Sequence, residues 1–137
     1  MFKKFLLLAS AGLMAIGPAV AAEKVKIGFV TTITTPAGVI GKDMVDAVNL
    51  AMEDIGGKMA GLDVELIVED DGFKPAIGKQ KTDKLVKQDK VQFVTGFIWS
   101  HVLLASQKSA LGAGIFLISS NAGPSQMAGK LCHKNFF

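Results

Sequence analysis

The chain has 137 residues, half of them apolar and a fifth charged, the composition of one ordinary globular domain. All fifteen basic residues are lysine, and once Lys3 and Lys4 are set aside the remaining lysines exceed the twelve acids by a single charge. Scattered lysines at near-neutral balance leave no electrostatic footprint for nucleic acid or for an acidic membrane surface. The only cysteine, Cys132, cannot close an internal bridge, so stability has to come from the core.

Met1 to Ala22 reads as a secretory signal. Lys3 and Lys4 form a positive start, Phe5 to Ile16 an apolar core, and Ala19-Val20-Ala21 a small-residue cleavage site before a mature chain from Glu23. That core is shorter than the ~20 residues a membrane span needs, so the expected product is free in an exported compartment, best the bacterial periplasm.

Val25 to Val30 is a short apolar strand, followed by a loop from Thr31 to Gly41 in which Pro36 and Gly38 interrupt regular structure. From Lys42 the period changes: Met44, Val48, Ala51, Met52 and Ile55 share one helical face, and Gly56-Gly57 ends the helix. Asp63 to Glu69 alternates as a strand and runs into Glu69-Asp70-Asp71. Without the further ligands a calcium loop needs, these acids read as a solvated strand end. Pro75 opens a lysine-faced helix to Asp89, and Gly78-Lys79 lacks the spacing and the Ser or Thr of a phosphate loop.

Val91 to Thr95 is a buried strand broken by Gly96, and Ser100 stands where the next helix, to Leu111, would take its N-cap. Ile115 to Ile118 is another buried strand, with Ser119 to Ser125 as a small polar loop, and Lys134 to Phe137 begins a further strand. Cys132-His133 offers only two adjacent ligands, which is not a metal site. No metal and no cofactor is expected.

Alternating strand and helix predicts an α/β fold, a doubly wound parallel sheet with right-handed crossovers. There is no GxGxxG after the first strand, so a dinucleotide fold of the usual kind is disfavoured. Four loops then converge on the carboxyl edge: Thr31–Gly41, Asp70–Lys74, Gly96–Ser100 and Ser119–Ser125. Thr95-Gly96-Phe97-Ile98-Trp99-Ser100-His101 is the stretch best placed to act, because free N–H groups at a helix start suit a small anionic or zwitterionic ligand. An ordinary strand-to-helix connection is the competing reading of the same residues.

Together, the signal followed by KVKIGFVTTITTPAGVIGKD, Glu69-Asp70-Asp71 with Pro75, Gly96 to Ser100 and Ile118 to Ala122 resemble one family. The chain is similar to periplasmic solute-binding proteins of ABC transporters of the leucine/isoleucine/valine-binding type. The resemblance covers Glu23 to Phe137 and implies a Rossmann-like N-terminal lobe of a type I periplasmic binding protein, truncated before its second lobe. It implies a small-molecule partner, a branched-chain amino acid or related organic carboxylate, delivered to an ABC permease in the inner membrane by a full-length protein that is monomeric. Ser100 matches the family serine that holds the ligand carboxylate. Asn121 and Gly123 match positions that bind an amino-acid head group, Gly123 standing in place of a threonine. Ile40 stands where an aromatic ring often packs on the ligand. Trp99 and His101 are atypical of an aliphatic amino-acid binder and point to a subgroup taking aromatic or other organic carboxylates.

The alternatives are a sensory binding domain of a receptor, which uses the same fold and site, and a secreted hydrolase built on Ser100 and His101. The hydrolase reading lacks a G-x-S-x-G elbow, and adjacent residues at a helix start do not readily place an imidazole on the serine Oγ. The expectation is a binding protein and not an enzyme.

Overall fold

The computed structural model describes residues 24–137, and the expected signal at Met1–Ala22 lies outside them. The elements run β1 (Lys24–Thr31), α1 (Gly38–Asp54), β2 (Lys58–Met59), β3 (Leu62–Asp70), α2 (Pro75–Lys84), β4 (Phe93–Gly96), α3 (Ser100–Leu111) and β5 (Phe116–Ser119). A π-helical turn, Leu85–Asp89, prolongs α2 and stops at Lys90, whose backbone is left-handed. The sheet order is β2-β3-β1-β4-β5, with β1 parallel to β3 and β4, and β4 parallel to β5.

The doubly wound parallel sheet is therefore present, with one addition. The two-residue β2 pairs antiparallel with β3 at the edge, closing a tight hairpin through Gly61 that alternation alone does not reveal. Past β5, Leu117 bridges Phe136 in parallel, so the stretch expected to begin a further strand meets the sheet edge through an isolated bridge and does not form a strand among the described residues.

The faces of this sheet are covered unequally. Helices α2 and α3 pack together over one face, burying Val30, Leu85, Val94, Phe97, Val102, Leu103 and Leu117. Gly78 permits the helices to approach, since a Cβ there would lie 2.4 Å from Val102. Among the described residues the other face carries only α1, which sits over Phe29 with Met44, Ala47 and Val48. Of the predicted apolar stripe on α1, Met44, Val48 and Met52 are half-buried, whereas Ala51 and Ile55 are exposed. Beyond α1 this face is open: Ile27, Phe93, Thr95, Ile118 and Met59 line a shallow apolar hollow of about 180 Å³. Phe93 and Phe116 stack beside it with ring centroids 5.8 Å apart.

Helix α1 begins at Gly38, inside the stretch expected to be loop. The glycines there act through space and do not break the helix. A Cβ on Gly38 would meet the Ile33 carbonyl oxygen at 2.1 Å, and one on Gly41 the Thr32 carbonyl oxygen at 1.9 Å. Both are buried, so the first turn lies directly on the loop that leaves β1.

Candidate functional site

From β1 the chain moves to β3 on one side and then to β4 and β5 on the other. Neighbouring strands β1 and β4 thus lead away in opposite directions, and a crevice opens beyond their carboxyl ends, where ligands of open α/β sheets bind. Ser100, Trp99 and His101 follow β4 at this crevice, and Asn121 and Gly123 follow β5 beside it. Ile40, 43 % exposed, lies in the first turn of α1 on the same edge.

The loop Gly96–Trp99 is shaped by close backbone approach. Gly96 has φ +108°, and a Cβ on it would lie 2.3 Å from the Val30 carbonyl oxygen, the group to which the Phe97 N–H donates at 2.6 Å. Ser100 is the first helical residue of α3, and the cap position belongs to Trp99. This corrects the expectation that the Ser100 hydroxyl caps the helix: no side chain does so. The Trp99 carbonyl accepts the N–H groups of Val102 and Leu103. Those of Ser100 and His101 have no partner among the described residues, and both residues are exposed. An anion would find two unsatisfied donors at the positive end of a helix there.

The other loops are stapled to this one. Asn121 Nδ2 donates to the Ile98 carbonyl at 2.9 Å, Ser120 Oγ donates to the Gly96 carbonyl at 2.7 Å, and the Ala122 N–H donates to the Phe97 carbonyl at 3.0 Å. The amide of Asn121 thus positions the β4–α3 loop. Gly123 is exposed, and a Cβ there would meet nothing within 4 Å, so its lack of a side chain is not a packing requirement.

On the other side of the crevice the acidic run does not behave as a solvated strand end. Glu69 and Asp71 are buried, and Asp70 is half-buried. Asp71 Oδ1 accepts from the Thr32 hydroxyl and from the Phe73 N–H, the latter at 2.8 Å. Asp70 Oδ1 accepts the N–H groups of Ile33 at 2.8 Å and Gly72 at 3.0 Å, and its Oδ2 accepts from the Thr34 hydroxyl. Burial raises the Asp70 pKa, but the hydrogen bonds from Thr34, Ile33 and Gly72 outweigh it and hold the group below its usual range. Thr32 also accepts the indole N–H of Trp99 at 2.9 Å, so one hydroxyl joins the β1 and β4 loops to the β3 loop.

Three residues absent from the sequence-based site emerge here: Thr32, Asp71 and Phe73. The ring of Phe73 meets Trp99 edge-on at 4.8 Å and His101 at 5.0 Å. A run of Asp at a strand end followed by Gly is a turn signal that points to side-chain hydrogen bonds, and it was the available clue. The hydrolase geometry is not assembled, since no hydrogen bond joins Ser100 to His101. Among the described residues, no group of three or more His, Cys, Asp or Glu is arranged to hold a metal.

A larger surface hollow, about 390 Å³, lies between α2 and α3 and is lined by Lys79, Asp83, Lys87 and Lys108 with Ser109, Gly112 and Ala113. Asp83 there already pairs with Lys79 at 2.5 Å and Lys87 at 2.9 Å, and no aromatic residue faces it. The crevice, with unmet donors and aromatic walls, is the better candidate for a ligand site.

Residues 24–137 match the family model described as periplasmic binding protein. A comparison with curated proteins finds no match. Among solved structures, an ABC transporter substrate-binding protein from Sphaerobacter thermophilus is 28% identical with a TM-score of 0.79, covering 84% of this chain and 32% of its own. The branched-chain amino acid transporter substrate-binding protein LivJ from Streptococcus pneumoniae, in complex with isoleucine, is 26% identical with a TM-score of 0.76, over 84% of this chain and 33% of its own. A solute-binding protein of an ABC transporter from R. palustris, in complex with benzoate, is 26% identical with a TM-score of 0.79, over 84% and 32%. The chain thus spans about a third of the length of these solved relatives.

Proposed function

The chain belongs to the periplasmic binding protein family, and we propose that it forms the first wall of a cleft that binds a small organic carboxylate for an ABC importer. The observation that carries this reading is the pair of unpartnered N–H groups on Ser100 and His101, at the start of α3 and at the sheet's switch point. A carboxylate seated there gains charge-assisted hydrogen bonds and the field of the helix without any lysine or metal.

The importer role is supported by the family and by the solved relatives, which are substrate-binding proteins of ABC transporters. It brings with it an extracytoplasmic location, reached through Met1–Ala22 as a cleaved export signal, and a permease as partner. Ser100 acts as the carboxylate clamp through its backbone, Asn121 holds the clamp loop, and Ile40, Gly123, Trp99 and His101 line the surrounding rim. This role needs no covalent chemistry. An aromatic carboxylate suits the exposed ring of Phe73 better than an amino acid does, because no exposed acid at the crevice stands ready for an ammonium group: both oxygens of Asp70 are engaged with loop donors, and Asp71 is fully buried.

Thermal denaturation with a panel of carboxylates, each beside its uncharged amide, tests the reading. A true ligand at 100 times its Kd adds roughly 2.7 kcal/mol of stability, which the amide does not match. Equal stabilisation by acid and amide, or none by any acid, would overturn the carboxylate site.

A further inference from the structure

Phe73 has an unusual backbone for its size. Its φ is +65°, directly after Gly72 at +55°, in the left-handed region that bulky side chains avoid. Burial does not explain the choice, because the residue is 44 % exposed. A turn of this shape is ordinarily made by glycine or asparagine, and phenylalanine here adds strain without filling the core. What it does add is an exposed ring at a fixed place, edge-on to Trp99 and to His101, the two residues that flank Ser100.

The conformation is held from beneath. The buried carboxylate of Asp71 accepts the Phe73 N–H, and the same oxygen accepts the Thr32 hydroxyl. Thr32 in turn accepts the Trp99 indole N–H. One hydrogen-bonded chain therefore orients both members of the aromatic pair. Asp71 Oδ2 is buried with no partner among the described residues, so this carboxylate is retained despite incomplete satisfaction.

We propose that Phe73 is the specificity-determining residue of the crevice, selecting solutes with an aromatic ring beside the carboxylate, and that Asp71 and Thr32 are positioning residues for Phe73 and Trp99. This rests on the carboxylate reading above. With the anion at the N–H groups of Ser100 and His101, the organic part of the solute lies beside the cluster formed by Phe73, Trp99 and His101. Aromatic rings prefer such edge and offset contacts, which an aliphatic solute cannot reproduce.

Trp99 is the only tryptophan in the sequence, so its fluorescence reports on this site alone. The test titrates the full chain with benzoate and with isoleucine, in the wild type and in F73G, F73Y, T32V and T32S. Glycine suits the left-handed backbone, which guards F73G against misfolding. The wild type is expected to prefer benzoate, F73G to lose about tenfold in benzoate affinity and distinctly less in isoleucine affinity, and F73Y to keep the preference. T32V is expected to lose the preference and, without any ligand, to expose Trp99 to acrylamide quenching, both restored in T32S. A wild-type preference for isoleucine, equal weakening of both solutes by F73G, or T32V identical to wild type would overturn the inference. Failure of the wild type to respond to either solute would overturn the carboxylate reading itself, while the ligand-free quenching of T32V and T32S still decides whether Thr32 positions Trp99.

Discussion

The indole Nε1 of Trp99 donates to Thr32 Oγ1 at 2.9 Å, and this bond spans the crevice where the sheet reverses its winding. The two residues are 67 positions apart, on the loops that leave β4 and β1. Thr32 passes the connection on to Asp71 at the end of β3, and Asn121 ties the loop after β5 to the same place. The carboxyl edge is thus cross-linked by side chains. A rim fixed in this way loses less conformational entropy on binding than four free loops would.

If the backbone of Ser100 holds the carboxylate, its side chain and its N–H are separable. Trp99 already has φ −111° and ψ 129°, which a following proline tolerates, and the first helical position is where proline is favoured. S100P therefore removes a donor with little cost to the fold, whereas S100A removes only the hydroxyl. Losing a hydrogen bond to a charged group costs about 1.5–3 kcal/mol, so S100P should weaken carboxylate binding roughly 10- to 100-fold and S100A much less. Calorimetric titration with benzoate, alongside melting curves of both variants, reads this. Equal loss in S100A and S100P would move the clamp from the backbone to the hydroxyl.

The alternation of strand and helix was legible because β1, β4 and β5 are short, largely apolar runs, and β3 alternates, each bounded by glycines or polar turns. The stretch Gly96–His101 was legible for the same local reason: a strand, a glycine and a helix follow within a few residues. What could not be read depends on partners distant in sequence. The acids at Glu69–Asp71 looked solvated because their donors, Thr32, Ile33 and Lys81 among them, come from other elements. Gly38 looked like a helix breaker, and the loop seemed to run on to Gly41, because a close approach of these glycines to the Ile33 and Thr32 carbonyls has no local signature. Phe73 escaped notice because a residue's type does not announce a left-handed backbone when it is one that avoids it.

The stability of the fold should have a defined acid limb. Glu69 is pushed up by burial, but hydrogen bonds from Lys81 and Lys84 hold it below its usual range, and Asp70 is lowered by its loop donors. Asp83 is held down to about 2, chiefly by hydrogen bonds from Lys79 and Lys87. Folded pKa values below unfolded ones mean that this stabilisation is complete above the unfolded carboxylate range, near pH 4, and is lost as pH falls through the folded values. For Asp83 the window runs from about pH 4 to about 2. Urea unfolding at stepped pH should therefore show D83N slightly less stable than wild type at pH 7, by under about 1 kcal/mol for so exposed a cluster, with the gap closing towards pH 2. A gap that widens as the pH falls would contradict the assignment.

Gly41 sets two opposite effects against each other. Replacing a helical glycine by alanine ordinarily gains about 1 kcal/mol of helix propensity. Here the new Cβ would lie 1.9 Å from the Thr32 carbonyl oxygen and 2.9 Å from Thr31 Oγ1. Backbone cannot swing aside as a flexible side chain can, so α1 or the loop must shift, and such overpacking costs about 1–3 kcal/mol. The steric cost should win, so G41A is expected to lower Tm by several degrees. The shift also has a functional reading, because the carbonyl that would be displaced belongs to Thr32, the acceptor of the Trp99 indole. G41A should therefore increase acrylamide quenching of Trp99 as it lowers Tm, although residue 41 lies in α1 and carries no ligand contact in the proposed site. If Tm rises, helix propensity has prevailed and the first turn of α1 lies farther from the β1 loop than the close contacts at Gly38 and Gly41 require. If Tm falls while Trp99 quenching stays at the wild-type level, the strain is absorbed within α1, and the loop holding Thr32 is stiffer than the side-chain staples alone would make it.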